Sequence, residues 1–505
     1  MPHITKIKAG HGSAKKHKVQ ADTTLAPHLK LLQVKDGLDE LGEIQTAPIF
    51  TAPVRHHADS LRLSKQAEPF TQYGLLGGDT NQVVAKDPRI FYNVAAPSSV
   101  FICGSQGSGK SHTLSCLLEN CMIPSRANEL PRPLTGIVFH YDTFFSDSNC
   151  NPCEVAYLAT YGSLNVKVLC PPTNIATARK TYEKFPRIKV EELRIRETDL
   201  NTKRMLDLMA FSTSNTPLYL HVISRILRDM RIAQQRNGTQ FNYEQFKNLI
   251  NDEELSEFQL APLRQRLDTL ESFMAPPSQT KLGTSWDPKR GQLTIVDLSC
   301  PCVTPEMACS LFNICLSLFL EQSSSVGRVV ALDEAHKYMN ESSDSTALTE
   351  SLLATIRLQR HLGARVFIST QEPTISPKLL DLCSVTIVHR FTSPDWLRTL
   401  QKHLAGVSSA SKMLRQVEDE DDSASSADDS SDDGVEPLML GSSNPTLELF
   451  SWIVRLRIGE AFVFAPSAVI GVDRSGEVKR LGHGALKVRI RNRVTEDGGK
   501  SVMAV

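Results

Sequence analysis

Nowhere in its 505 residues does this chain hold an apolar run near eighteen residues, the length that a membrane-spanning helix needs. Its first residues lack the apolar core of a secretory leader. Net charge is also missing. Lys and Arg total 56, and so do Asp and Glu, so bulk charge selects no nucleic-acid or membrane-surface partner. Cysteine is neither abundant nor even in number. Eleven cysteines suit the reduced thiols of a cytoplasmic or nuclear protein better than a disulfide framework. Cys150-Asn-Pro-Cys153 is the one C-x-x-C, and Cys300-Pro-Cys302 is too tight to be a second. The spacing therefore predicts spare thiols in a loop rather than zinc. No internal repeat is visible.

What is present is an ordinary globular composition, 41% apolar and 22% charged, with an uneven distribution of charge. The first twenty residues hold Lys6, Lys8, Lys15, Lys16 and Lys18 and no acid. Residues 418–433 hold nine acids and no base. Residues 479–493 hold Lys479, Arg480, Lys487, Arg489, Arg491 and Arg493 and no acid. These shifts divide the chain. Residues 1–94 read as an irregular lead-in, disordered at first. Residues 95–415 read as one core with a helical insertion at about 175–275. Residues 416–444 read as an acidic disordered loop, and 445–505 as a segment that completes the core and ends in a basic strand.

One stretch organises the rest. Val100-Phe-Ile-Cys103 is an apolar strand that runs into Gly104-Ser-Gln-Gly-Ser-Gly-Lys-Ser111, with a helix expected from about Ser111 to Cys121. This is the G-x-x-x-x-G-K-[ST] spacing of a phosphate-binding loop. Glycines let the backbone curl so that successive N–H groups point at phosphate oxygens, and the helix adds its positive end. Gly104, Gln106, Gly107, Ser108, Gly109, Lys110, Ser111 and His112 are the expected contacts to ATP. Lys110 reaches the β- and γ-phosphates, and the Ser111 hydroxyl binds Mg²⁺.

Hydrolysis needs a second set of groups. Strand-like Val329-Val-Ala-Leu332 ends in Asp333-Glu334, at the strand end where open parallel sheets bind ligands. Asp333 is expected on Mg²⁺, and Glu334 is expected to orient and deprotonate water. Gln371 closes the strand Ala364-Arg-Val-Phe-Ile-Ser-Thr370 and is expected to touch both γ-phosphate and water. Cationic help at the transition state often comes from a neighbouring subunit. Arg360, on the helix before that strand, is the first candidate and Arg390 the second. Further continuous apolar runs at 135–140, 166–170, 292–298 and 384–391 alternate with helical patterns. Together they predict an α/β fold with a mostly parallel sheet covered on both faces.

The ordered set Gly104–Ser111, Leu293-Thr-Ile-Val-Asp-Leu-Ser299, Leu332-Asp-Glu-Ala-His-Lys-Tyr338, Ser369-Thr-Gln-Glu-Pro373, Ser376-Pro-Lys-Leu-Leu380 and His389-Arg-Phe391 resembles the motifs of HerA/FtsK-type P-loop ATPases, the class with an additional strand and a catalytic glutamate. The resemblance covers roughly 95–415, with a weaker echo at 453–471. It implies a RecA/FtsK-like sheet, ATP and Mg²⁺ as cofactors, and a homo-hexameric ring that translocates DNA or pumps substrates. It also implies Lys110 and Ser111 on the nucleotide, Asp333 and Glu334 as the acid pair, Gln371 as sensor and Arg360 acting in trans. The chain departs from that family in a short N-terminal segment where a β-barrel is usual, and in its two insertions. Asp333-Glu-Ala-His336 also spells the DEAH-box signature, but the stretch from Lys110 to Asp333 is too long for that family.

Two uses of hydrolysis fit the sequence. A DNA motor would draw on the basic strand 487–493, whose alternation predicts a half-buried strand with one cationic face. A switch or remodelling ATPase acting on protein would use the helical insertion. Ser423, Ser425, Ser426, Ser430 and Ser431 stand among acids that would suit an acid-directed kinase.

Overall fold

A computed structural model describes residues 42, 44–65, 70–80, 87–143, 151–209, 218–276, 283–322, 325–404, 445–473 and 477–498. The basic N-terminus, Cys150 and the acidic tract with its serines lie outside the described residues.

In chain order the strands are β1 (Ile49–Thr51), β2 (Tyr73–Asp79), β3 (Arg89–Asn93), β4 (Ser99–Cys103), β5 (Asn128–Glu129), β6 (Thr135–His140), β7 (Asn165–Cys170) and β8 (Lys189–Glu192). They continue as β9 (Gln292–Asp297), β10 (Arg328–Leu332), β11 (Ala364–Thr370), β12 (Val385–Val388), β13 (Glu460–Phe464), β14 (Val469–Val472), β15 (Val478–Arg480) and β16 (Leu486–Ile490). All belong to one sheet of 16 strands, ordered β15-β14-β1-β3-β2-β16-β13-β12-β4-β11-β10-β6-β9-β7-β8, with β5 paired to β2. From β12 to β8 every pairing is parallel. From β12 through β13, β16, β2, β3 and β1 every pairing is antiparallel.

The parallel strands read as unbroken apolar runs because both of their faces are buried. Phe101, Phe139, Val330, Leu332, Val366 and Ile368 join one core. Their neighbours along the same strands, Val100, Ile102, Val138, Val329, Ala331 and Phe367, join a second core on the opposite face. Burying such a side chain contributes about 1.5–3 kcal/mol, so the two layers dominate the stability of the sheet. Helix Lys110–Met122 covers the second face, and helices Pro305–Glu321 and Ser343–Arg357 cover the first.

The lead-in proves more regular than its sequence suggests. β1, β2 and β3 extend the sheet, and β16 from the C-terminal segment joins β2 to β13. The first and last parts of the chain thus meet beside the core. The region 175–275 is helical over Ile175–Tyr182, Thr202–Met209, Leu218–Asn237, Tyr243–Asn251 and Glu257–Phe273, but it also supplies the edge strand β8. Its buried residues Ile223, Leu227, Phe246, Leu263 and Leu270 belong to the same core as Phe101 and Phe312, so the insertion is continuous with the sheet.

The basic strand differs from its expected role. Lys487 and Arg489 lie on β16, and Arg489 is exposed. Arg491 and Arg493 are buried in ion pairs, with Arg491 Nη1 2.7 Å from Glu119 and Arg493 Nη1 2.6 Å from Glu154. The alternation that predicts one cationic face ends where β16 ends, and these two arginines turn inward, Arg491 to Glu119 on the helix after the loop and Arg493 to Glu154 at the start of the short helix Glu154–Thr160.

Candidate active site

Parallel pairing in register brings five strand ends to one edge. Cys103 pairs with Thr370, Leu332 with Ile368 and Phe139, and His140 with Asp297. The turns that leave these ends carry the Gly104–Ser111 loop, Asp333-Glu334 and Gln371. β11 separates the loop strand β4 from the acid strand β10, so Gln371 emerges between the two sets of groups.

The loop is shaped for a bound anion. Gly104, Gly107 and Gly109 have φ of 153°, 70° and 111°, conformations that side-chain-bearing residues rarely adopt. A Cβ on Gly104 would sit 2.7 Å from Cβ of His389 and 2.8 Å from Ser108 Oγ. Ser108 Oγ and Lys110 Nζ both donate to the Ser105 carbonyl, at 2.7 and 3.0 Å. Gln106 and Gly107 are exposed, and Ser111 and His112 are half-buried at the start of the helix, which begins at Lys110. Burial pushes the Lys110 ammonium down from its ordinary range, opposed by Glu334 and then Asp333.

Beneath the loop lies His389, which is fully buried. Its Nε2 is 2.9 Å from Thr113 Oγ1 and its Nδ1 is 3.0 Å from the Glu460 carbonyl. Burial lowers its pKa to about 3, so it is neutral at ordinary pH and braces the loop without adding charge. His389 stands in the motif set quoted above, but its place under the loop follows from the pairing of β12 with β4.

Glu334 has φ 48° and ψ 45°, the one positive φ outside glycine among the described residues. Gln371 Nε2 donates to its carboxylate at 3.2 Å, and His336 Nδ1 lies 3.4 Å from the same oxygen. The Gln371 backbone N–H donates to His336 Nδ1 at 3.3 Å. Burial depresses the His336 pKa against the pull of Glu334. A neutral imidazole with Nδ1 as acceptor fits that bond, which ties Gln371 to the Glu334 turn. Sequence reading placed Gln371 and Glu334 in one site; His336 as their link has no signal outside the three-dimensional arrangement.

Asp333 is buried, and its Oδ1 has no hydrogen-bond partner in the protein. An orphaned carboxylate oxygen beside the phosphate loop fits the water shell of Mg²⁺. Its Oδ2 lies 3.4 Å from His140 Nδ1 and accepts a hydrogen bond from the Cys153 thiol at 3.7 Å. Burial lifts the Cys153 thiol to about 11.

The two arginine candidates separate. Arg360 is exposed on the helical turn Gln359–Leu362, which leads into the start of β11, at the end of that strand away from Gln371. It is therefore not brought to its own chain's loop. Arg390 is exposed beside the loop, and its carbonyl accepts from the Ser105 N–H at 2.8 Å. The turn before β13 is a neighbour that sequence reading missed. The Gly459 N–H approaches the Ser108 carbonyl at 3.4 Å, and Ile458 beside it is 67% exposed.

No family profile and no curated protein sequence matches this chain. Among solved structures it is similar to VirB4 of Thermoanaerobacter pseudethanolicus at 11% identity, over 83% of this chain and 96% of that one, with a TM-score of 0.41. It is similar to plasmid coupling protein TrwB in complex with a non-hydrolysable ATP analogue at 11% identity, over 79% of this chain and 87% of that one, with a TM-score of 0.41. The genome packaging NTPase B204 from Sulfolobus turreted icosahedral virus 2, with ATP-gammaS, is similar at 11% identity over 78% and 98% of the two chains, with a TM-score of 0.27.

Proposed function

We propose that this chain is a Mg²⁺-dependent ATP hydrolase and works as a DNA-translocating motor of the HerA/FtsK kind. The observation that carries the hydrolytic reading is the 3.2 Å bond from Gln371 to Glu334, made possible by the single strand between the loop strand and the acid strand. The Gly-rich backbone and Lys110 bind the phosphates. Ser111 and Asp333 would hold Mg²⁺, which would supply positive charge against the phosphates. The Glu334 carboxylate accepts the proton of the attacking water. Gln371 orients Glu334 and reports the γ-phosphate through the same amide. Ile458 offers an apolar surface on which the nucleotide base packs.

Arg360 supports the ring. On its exposed turn away from the site it serves only a neighbouring copy, which suits subunits arranged head to tail in a homo-hexamer. Arg390 supplies cationic character within the chain. Lys487 and Arg489 remain as basic groups for DNA phosphates, since Arg491 and Arg493 are committed to acids. Remodelling of protein is the second reading, and one observation favours it: Phe258, at the head of an insertion helix, is 94% exposed.

Phosphate release from MgATP, with and without double-stranded DNA, single-stranded DNA or RNA, tests the proposal beside a mass measurement with nucleotide present. DNA-stimulated turnover in a six-subunit species is expected. Turnover in a monomer indifferent to nucleic acid selects the protein reading, and absence of turnover removes both.

A further inference from the structure

Asp333 carries two neighbours for which ATP hydrolysis has no use. His140 is the last residue of β6, and Cys153 immediately precedes the short helix Glu154–Thr160. All three side chains are buried: His140 is 7% exposed, Cys153 0% and Asp333 2%. Their nitrogen, sulfur and oxygen atoms lie within 4.8 Å of one another, the one such group among the described residues.

A plain ion pair explains this arrangement poorly. A charge-assisted N–H···O bond closes to about 2.7–2.9 Å. Here His140 Nδ1 stays 3.4 Å from Asp333 Oδ2 and makes no hydrogen bond, although it is buried. Leaving such atoms unpaired costs roughly 1–3 kcal/mol each. A tetrahedral cation offers a better account. With a metal–sulfur bond of about 2.3 Å and metal–nitrogen or metal–oxygen bonds of about 2.0–2.1 Å, adjacent ligand atoms stand roughly 3.3–3.6 Å apart. The N···O separation of 3.4 Å and the S···O separation of 3.7 Å, spanned by the thiol hydrogen bond in the metal-free fold, lie close to that spacing.

We propose that Cys153 Sγ, His140 Nδ1 and Asp333 Oδ2 form a site for a thiophilic divalent cation of the zinc class, whose charge on the Asp333 carboxylate weakens Mg²⁺ at Oδ1 and so inhibits hydrolysis. The proposal rests on the reading of Asp333 as a Mg²⁺ ligand. Thiolate and imidazole select such a cation over Mg²⁺, which prefers oxygen alone. Three protein ligands leave the fourth position to water. Binding releases the thiol proton to solvent and involves no oxidation. Cys153 finds its partners at the ends of two strands, β6 and β10, rather than in the C-x-x-C, which is why the spacing of cysteines gives no zinc signal.

Cobalt(II) titrated into the nucleotide-free full chain is expected to give a near-ultraviolet thiolate-to-cobalt absorption. Zinc should bleach it. Cys153→Ser should lose it, with the melting curve showing that the variant is folded. If Cys153→Ser does not fold, His140→Gln serves in its place and should weaken cobalt binding by more than about tenfold. No absorption in the wild-type chain, or full absorption in a folded Cys153→Ser variant, overturns the site. This readout needs no ATPase activity, so it stands or falls apart from the hydrolytic reading. In the MgATP assay, the zinc concentration for half-inhibition should rise more than about tenfold in Cys153→Ser, relative to that variant's own rate. Equal inhibition of both proteins overturns the competition with Mg²⁺.

Discussion

Glu334 stands in the left-handed region at φ 48°, a conformation that costs a non-glycine residue on the order of 1 kcal/mol. The Gln371 amide and the buried Asp333 peptide before it hold the carboxylate in that position. Gln371→Ala is therefore expected to lower kcat by about 10²-fold while leaving the KM for ATP within a few fold, measured by steady-state phosphate release. Equal losses in kcat and affinity would make Gln371 a binding group instead. Ile458→Asp should do the reverse, raising KM roughly tenfold with a smaller change in kcat, if the base packs there. The loop and the acid pair are legible in the sequence because each is a local pattern whose residues act where the chain puts them. His336, His389 and the neighbours of Asp333 are not. His140 and Cys153 come from distant stretches, and only the order of the strands sets them against Asp333. The same reason separates the arginines. Arg360 and Gln371 are close in sequence, yet β11 runs the width of the sheet between them, while Arg390 arrives beside the loop because β12 pairs with β4.

At the level of elements, two ion pairs tie distant parts of the chain to helices beside the site. Glu119, on the helix after the loop, is fully buried and accepts from Arg491, from the backbone of Val494 and from Thr495. Arg491→Ala leaves that carboxylate without its countercharge and should lower stability by about 3–5 kcal/mol in denaturant unfolding. An unchanged midpoint would mean that water or Arg493 takes over. Arg266, on the last insertion helix, makes a two-point contact with Asp344 at 2.9 and 3.1 Å, in the first turn of the helix that follows the Glu334 turn. Through it a partner on the insertion would bear on that helix. His389 adds a pH term. Its pKa in the fold is about 3, below an ordinary histidine near 6.5, so the unfolded chain takes up a proton that the fold refuses. Its contribution is fully present above pH 6.5 and is lost as pH falls towards 3, by about 1.4 kcal/mol per pH unit. His389→Gln should flatten that part of the stability profile. Element types in the core were readable from periodicity, since runs buried on both faces leave little choice. β8 was not, because Lys189-Val-Glu-Glu192 is a polar edge strand defined by its pairing with β7.

Across the whole molecule, one sheet joins segments that composition alone divides. The lead-in strands and the C-terminal strands form its mostly antiparallel half, in which only β1 and β14 pair in parallel, and β12 through β8 form its parallel half. No helix among the described residues is long and apolar enough to cross a membrane. The equal totals of acidic and basic residues give no general attraction to nucleic acid, so stimulation by DNA would have to arise at a local patch such as Lys487 and Arg489. Raising salt should then reduce that stimulation far more than it reduces basal turnover. In the proposed hydrolysis at the shared strand edge, Glu334 carries the chemical step. ATP binding and single-turnover phosphate release, measured side by side for the full chain and for Glu334→Gln, test it directly. Retained ATP affinity with phosphate release slowed by about 10²–10⁴-fold is the predicted result. Release at the wild-type rate would contradict the account.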